Sequence, residues 1–107
     1  MIWRGVLAAL GALAAPAQDN AGLEIFEKKI RPVLVSKCYG CHSAEAKAVF
    51  GGLMVDSREA MWKGGSSGKP AVVPNNTQEG MLLNAIRHAG PLKMPPGERL
   101  PDEVIAD

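Results

Sequence analysis

"KCYGCHSAE", residues 37–45, gathers both cysteines of the 107-residue chain and one of its two histidines into Cys38-Tyr39-Gly40-Cys41-His42. Two thiols three positions apart, with an imidazole immediately after, suit three chemistries: a redox disulfide, a zinc site, or the anchoring of a haem. The surroundings of the motif decide among them.

The first residues, "MIWRGVLAALGALAAPAQDN", carry one positive charge at Arg4, an apolar run across residues 6–15, and small residues at Ala15 and Ala17. This is the layout of a secretory signal peptide over residues 1–17, cleaved after Ala17. The rival, an uncleaved membrane anchor, is weaker, because the run falls well short of the roughly 20 apolar residues a span requires. Residues 18–107 then form one small exported domain with no membrane span, periplasmic or secreted. Loss of Arg4 leaves eleven basic against eleven acidic side chains. That balance argues against nucleic-acid binding, which draws on an excess of Lys and Arg facing phosphates. A chain this short buries only about 60 per cent of its unfolded surface and is marginal alone. With Trp62, Tyr39, Phe26 and Phe50 as its aromatics after the leader, it needs core material from a staple or an apolar cofactor.

Upstream of the motif, Leu23, Phe26, Ile30 and Leu34 recur at spacings of three and four, one face of a helix that delivers its last turn into Cys38. Asn20 is its expected cap. Pro32 removes the bond to the carbonyl of Lys28, so a kink or restart is expected there. Downstream, Gly51 and Gly52 break periodicity, and Asp56 with Glu59 has the spacing of a capping box. Residues 71–73 are candidates to pair with residues 53–55 as a small two-stranded ribbon, a unit marginal without packing behind it. Asn76 with Glu79 signals a cap, Met81, Leu82, Ala85 and Ile86 form an apolar stripe, and Gly90-Pro91 stops that helix. A Pro-rich loop leads to a last helix opened by Pro101 with Asp102 and Glu103 in its first turn. It is short against the roughly 11 residues of an average helix, and the chain therefore reads as a fragment of a longer polypeptide. No internal repeat is visible.

A disulfide oxidoreductase places its Cys-x-x-Cys at the start of a helix in a βα context, whereas here the pair follows a helix. Zinc needs four ligands, and Cys38, Cys41, His42 and His88 include no second paired motif. A structural disulfide closes too short a loop to constrain the unfolded chain much, and it leaves His42 unexplained. Haem attachment accounts for every member: each thiol adds to one porphyrin vinyl group and His42 binds iron as the proximal ligand, with Tyr39 and Gly40 as spacers. The porphyrin also supplies the missing core. For the sixth position the candidates are Met54, Met61, Met81, Met94 and His88. Met81 lies on an apolar stripe, and Met54 and Met61 suit core or surface roles. Met94, between Lys93 and Pro95-Pro96 in a stiff loop, is the preferred ligand. His88 is the rival, with the simpler reading of a cation near a helix C-terminus.

With "CYGCH" and "LKMPP" in place, the chain resembles the class I cytochromes c. More narrowly, "FEKKIRPVLVSKCYGCHS", "GGLMVDSREAMWKGG", "AVVPNN", "MLLNAIRH" and "KMPP" are similar to the planctomycete-type cytochrome c domain, over residues 26–107. The resemblance implies an all-α fold of three to four short helices around one haem c. It implies thioether links at Cys38 and Cys41, and axial ligation by His42 and Met94. It departs at the end, where family members continue the last helix toward an aromatic stretch. The function expected is single-electron transfer by a monomeric carrier, not an enzyme, to a redox partner protein or a downstream domain. The rivals are a haem enzyme or sensor with an open sixth position, and a module that supplies electrons to an attached catalytic domain.

Overall fold

The computed structural model describes residues 20–107, so the leader expected over residues 1–17 lies outside the described part. Helix α1 (Asn20–Ile25) runs into a π turn (Phe26–Ile30) and on into α2 (Arg31–Lys37). Asn20, the first described residue, is itself helical. The restart expected at Pro32 is realised by the π turn. The Arg31 N–H reaches back to the Phe26 carbonyl, and Pro32 sits in the first positions of α2, where a missing N–H costs least. Leu34 is buried, Phe26 and Ile30 are half-buried, and Leu23 is exposed. The apolar stripe therefore turns inward only as it nears the cysteines. Glu24–Lys28 (2.5 Å) and Glu27–Arg31 (2.8 Å) pair across successive turns on the solvent side.

Beyond the cysteines come a 3-10 turn (Phe50–Gly52), α3 (Arg58–Lys63), α4 (Met81–Ile86) and α5 (Asp102–Ala106). No strand occurs among the described residues, so their regular secondary structure is all helical, joined by long irregular segments. The expected ribbon between residues 53–55 and 71–73 does not form. Its backbone groups are committed elsewhere: the N–H groups of Ala71 and Val72 donate to the Met61 carbonyl (2.8 and 3.3 Å), while the Val55 N–H donates to the His42 carbonyl (2.8 Å). A lone bridge joins Val73 and Asn76 instead.

Two cap assignments also shift. Ser57 caps α3, its hydroxyl accepting from the Ala60 N–H at 3.1 Å, and leaves Asp56 for another task. The Asn76 carboxamide accepts from the Gln78 and Glu79 N–H groups (3.0 and 3.3 Å), closing a turn of its own four residues ahead of Gly80, the N-cap of α4. Helix α4 then ends at Ile86, short of Gly90, because His88 adopts a left-handed φ of 55°.

Among the described residues the buried hydrophobic side chains are Leu34, Val55, Ala71, Ala85 and Leu100, from five separate stretches, and Pro95 is buried as well. No large side chain is fully buried. Two long-range bonds close the frame: Leu82 N–H to the Ala71 carbonyl (2.9 Å), and the Lys29–Asp107 pair (3.8 Å), which brings the last residue to the π turn.

Candidate haem-anchoring site

The Cys38–His42 segment is a turn in which nearly every carbonyl is spoken for. The Cys38 and Tyr39 N–H groups both reach the Leu34 carbonyl (2.9 Å each), so α2 ends by tightening into the turn. The Cys38 carbonyl accepts from Cys41 (3.2 Å) and His42 (2.9 Å), the turn that sets the spacing of the two thiols. The buried Ser43 hydroxyl donates to the Tyr39 carbonyl at 2.7 Å, and the Cys41 carbonyl accepts from Phe50 at 3.1 Å. Such saturation holds the thiols and the imidazole on a common rigid support.

Residues 53–56 brace the turn from outside. The Leu53 carbonyl lies 3.0 Å from His42 Nδ1, the Val55 N–H bonds the His42 carbonyl, and Asp56 Oδ2 accepts from the Ala44 N–H at 2.9 Å. A carbonyl can only accept, so Nδ1 carries a proton, and in the neutral ring Nε2 is the nitrogen with the lone pair. That is the tautomer a metal-binding histidine needs, with its other ring nitrogen fixed by a backbone carbonyl.

Both cysteines are free thiols, Cys38 half-buried and Cys41 exposed, and burial pushes the Cys38 thiol above its ordinary pKa. Among the described residues no three His, Cys, Asp or Glu side chains converge as a zinc site built on this turn requires.

Met94 lies half-buried in a loop held at both of its backbone groups. Its N–H donates to the Ala85 carbonyl (3.0 Å), and its own carbonyl accepts from His88 Nε2 (3.1 Å). Pro95, joined to it through a cis peptide bond, is buried. Lys37 Nζ, on the residue before Cys38, meets Glu98 Oε1 at 2.7 Å and ties this loop to the thiol-bearing turn. Of the other candidates, the Met81 sulfur accepts from the Ser67 hydroxyl at 3.4 Å, the Met61 carbonyl anchors residues 71 and 72, and Met54 is half-buried inside the brace. In this arrangement His88 Nε2 is engaged with the Met94 carbonyl.

These residues fit a covalently held haem by their donor chemistry: two unpaired thiols one turn apart, and an imidazole whose free nitrogen is selected by a backbone bond. A preformed cavity does not carry the fit. One surface concavity borders the turn, along Tyr39, Gly40, Ser43, Lys47 and Phe50, and none of the four candidate anchoring or ligating residues lines it. Leu53, Asp56, the Lys37–Glu98 pair and the His88–Met94 bond contribute to the site without any motif to announce them.

A helical domain with a Cys-x-x-Cys-His turn at the end of its first long helical segment and a Met-Pro loop strapped to it belongs to the c-type cytochromes as a class. More specifically, the chain belongs to the planctomycete cytochrome C family, whose model matches residues 38–98, from the first thiol through the Glu98 strap. Cytochrome c domains bind haem covalently and serve in electron transfer. No curated protein and no solved structure matches the chain.

Proposed function

We propose that this domain carries single electrons through one haem c, attached at Cys38 and Cys41 and ligated by His42 and Met94. The observation that carries the reading is the 3.0 Å contact of His42 Nδ1 with the Leu53 carbonyl, which reserves Nε2 for iron on the same turn that presents both thiols. Bound haem would supply a one-electron iron couple, and ligation by His42 and Met94 would raise its potential. The chain's own residues perform the rest. Residues 53–56 fix the imidazole, the saturated turn fixes the thiols, and the Lys37–Glu98 and Ala85–Met94 contacts hold the distal loop. The role is that of a carrier rather than an enzyme, and it requires no catalytic acid, base or nucleophile. Export by residues 1–17 to the periplasm or beyond suits covalent haem attachment, which is completed outside the cytoplasm. No helix among the described residues is long and apolar enough to cross a membrane. The electron goes to a redox partner protein or to a domain further along the same polypeptide.

Expression with and without a cytochrome c maturation system tests this. A denaturing gel stained for haem is expected to show a band only with the system, and replacing either cysteine with alanine should weaken or abolish it. Colourless protein with the mass of bare polypeptide from maturation-competent cells rules the reading out.

A further inference from the structure

His88 ends α4 and then does something a helix terminator has no need to do. It sits at φ 55°, half-buried, and its Nε2 lies 3.1 Å from the carbonyl of Met94. A carbonyl only accepts, so Nε2 donates. The same methionine is held from its other side, because its N–H donates to the carbonyl of the buried Ala85, which also accepts from the His88 N–H at 3.2 Å. Ala85, His88 and Met94 therefore close a ring of hydrogen bonds in which the methionine is gripped at both of its main-chain polar groups. Arg99 Nε reaches the Arg87 carbonyl at 3.3 Å and closes the loop's far side against the same helix end. Neither α4 nor the loop needs the His88 side chain for its own secondary structure. Glycine or asparagine serves a left-handed position at least as well as histidine.

We propose that His88 is a positioning residue for Met94, its Nε2–H bond fixing the methionine's carbonyl so that the thioether is presented from a stiffened loop. The inference rests on the reading of Met94 as the distal ligand. It gives His88 a role other than ligation: the ring nitrogen that would bind iron is the one that holds the ligand's backbone.

The test compares wild-type protein with His88→Gly and His88→Gln, all matured with haem attached. Two quantities are read: the charge-transfer absorption band of a methionine-ligated ferric haem, and the affinity of the ferric protein for added imidazole, which must displace Met94 to bind. Wild type is expected to show the band. The glycine variant keeps the left-handed backbone but loses the donor, and should bind imidazole about fivefold more tightly, the worth of one neutral hydrogen bond. The glutamine variant, whose amide nitrogen reaches the Nε2 position, should move the affinity back toward wild type. A glycine variant with wild-type imidazole affinity, or a glutamine variant indistinguishable from glycine, overturns the positioning role and leaves Met94 ligation standing. A wild type that lacks the band overturns Met94 ligation and the positioning role together.

Discussion

Lys37 and Glu98, 61 positions apart in the chain, meet at 2.7 Å, and in doing so join the residue before the first thiol to the loop that carries Met94. The pair is exposed, so solvent and salt weaken it. The hydrogen bond from Lys37, and then its charge, hold the Glu98 carboxyl below the ordinary glutamate value of 4.5. A carboxylate with a lowered folded-state pKa contributes stability that is complete above its unfolded value. That contribution is lost as the pH falls through the lowered one. The denaturant midpoint of Glu98→Gln is therefore expected to lie slightly below wild type near neutral pH, and to meet it as the pH drops beneath 4.5 or as salt is raised. A gap that widens in acid would contradict the assignment.

The second prediction concerns Asp56. Its carboxylate accepts from the Ala44 N–H, just past the histidine of the turn, while the neighbouring Ser57 caps α3. The two adjacent residues thus hold different parts of the fold. Asp56→Ala should cost about 1–2 kcal/mol through a lost charge-assisted bond. Ser57→Ala should cost about 1 kcal/mol through a lost cap. Only the former should also disturb the environment of His42, read as a broadened Soret band or as reduced haem incorporation per mole of protein. Equal spectra for the two variants would show that the Asp56 contact does not stiffen the turn.

The parts of this architecture legible in the sequence are those with a local cause. The spacing of Phe26, Ile30 and Leu34 announces a helix because those side chains must share one face. The turn that carries Cys38, Cys41 and His42 is legible because their spacing is that of one turn of chain, closed by the Cys38 carbonyl. Met94 stands out because Pro95 and Pro96 follow it in a loop between helices. Asp56 was misleading for a physical reason: its spacing to Glu59 imitates a capping box, but a serine one position later reaches the free N–H of Ala60 and releases the carboxylate to Ala44. Residues 53–55 and 71–73 look like a ribbon because β-branched residues occur in both. Their backbone groups nonetheless find partners at His42 and Met61. The Leu53 carbonyl that selects the His42 tautomer is invisible to any motif, since every residue carries a carbonyl. Lys37–Glu98 and His88–Met94 are likewise pairings that only the folded path of the chain brings about.

Two glycines should respond in opposite ways. Gly64 ends α3 at φ 73° and ψ −167°, and an added Cβ would stand 2.0 Å from the Lys69 carbonyl oxygen. That backbone region is essentially closed to other residues, and the clash is with main chain that cannot rotate away. Gly64→Ala should therefore cost about 2 kcal/mol or more. Gly40, inside the thiol turn, has nothing within 4 Å of an added Cβ. Gly40→Ala should leave haem attachment intact and change stability by no more than about 0.5 kcal/mol. Urea midpoints of the two matured variants provide the comparison, and a destabilised Gly40→Ala would mean that this position is more than a spacer.

Met94→Ala separates attachment from ligation. On the proposed reading, attachment at Cys38 and Cys41 and binding through Nε2 of His42 would not depend on the distal loop, because the bonds that hold the turn come from Leu34, Leu53, Val55 and Asp56. The variant should therefore stain for haem on a denaturing gel as strongly as wild type. What should change is everything the thioether controls: the methionine-to-iron band disappears, the potential falls, and the ferrous protein binds carbon monoxide rapidly where wild type does so slowly. Met81→Ala is the control, since that sulfur is engaged with the Ser67 hydroxyl, and it should keep the band. If wild type itself binds carbon monoxide rapidly, the sixth position is open. The buried Pro95 and the doubly held Met94 backbone would then be stiffening a loop for some purpose other than ligation.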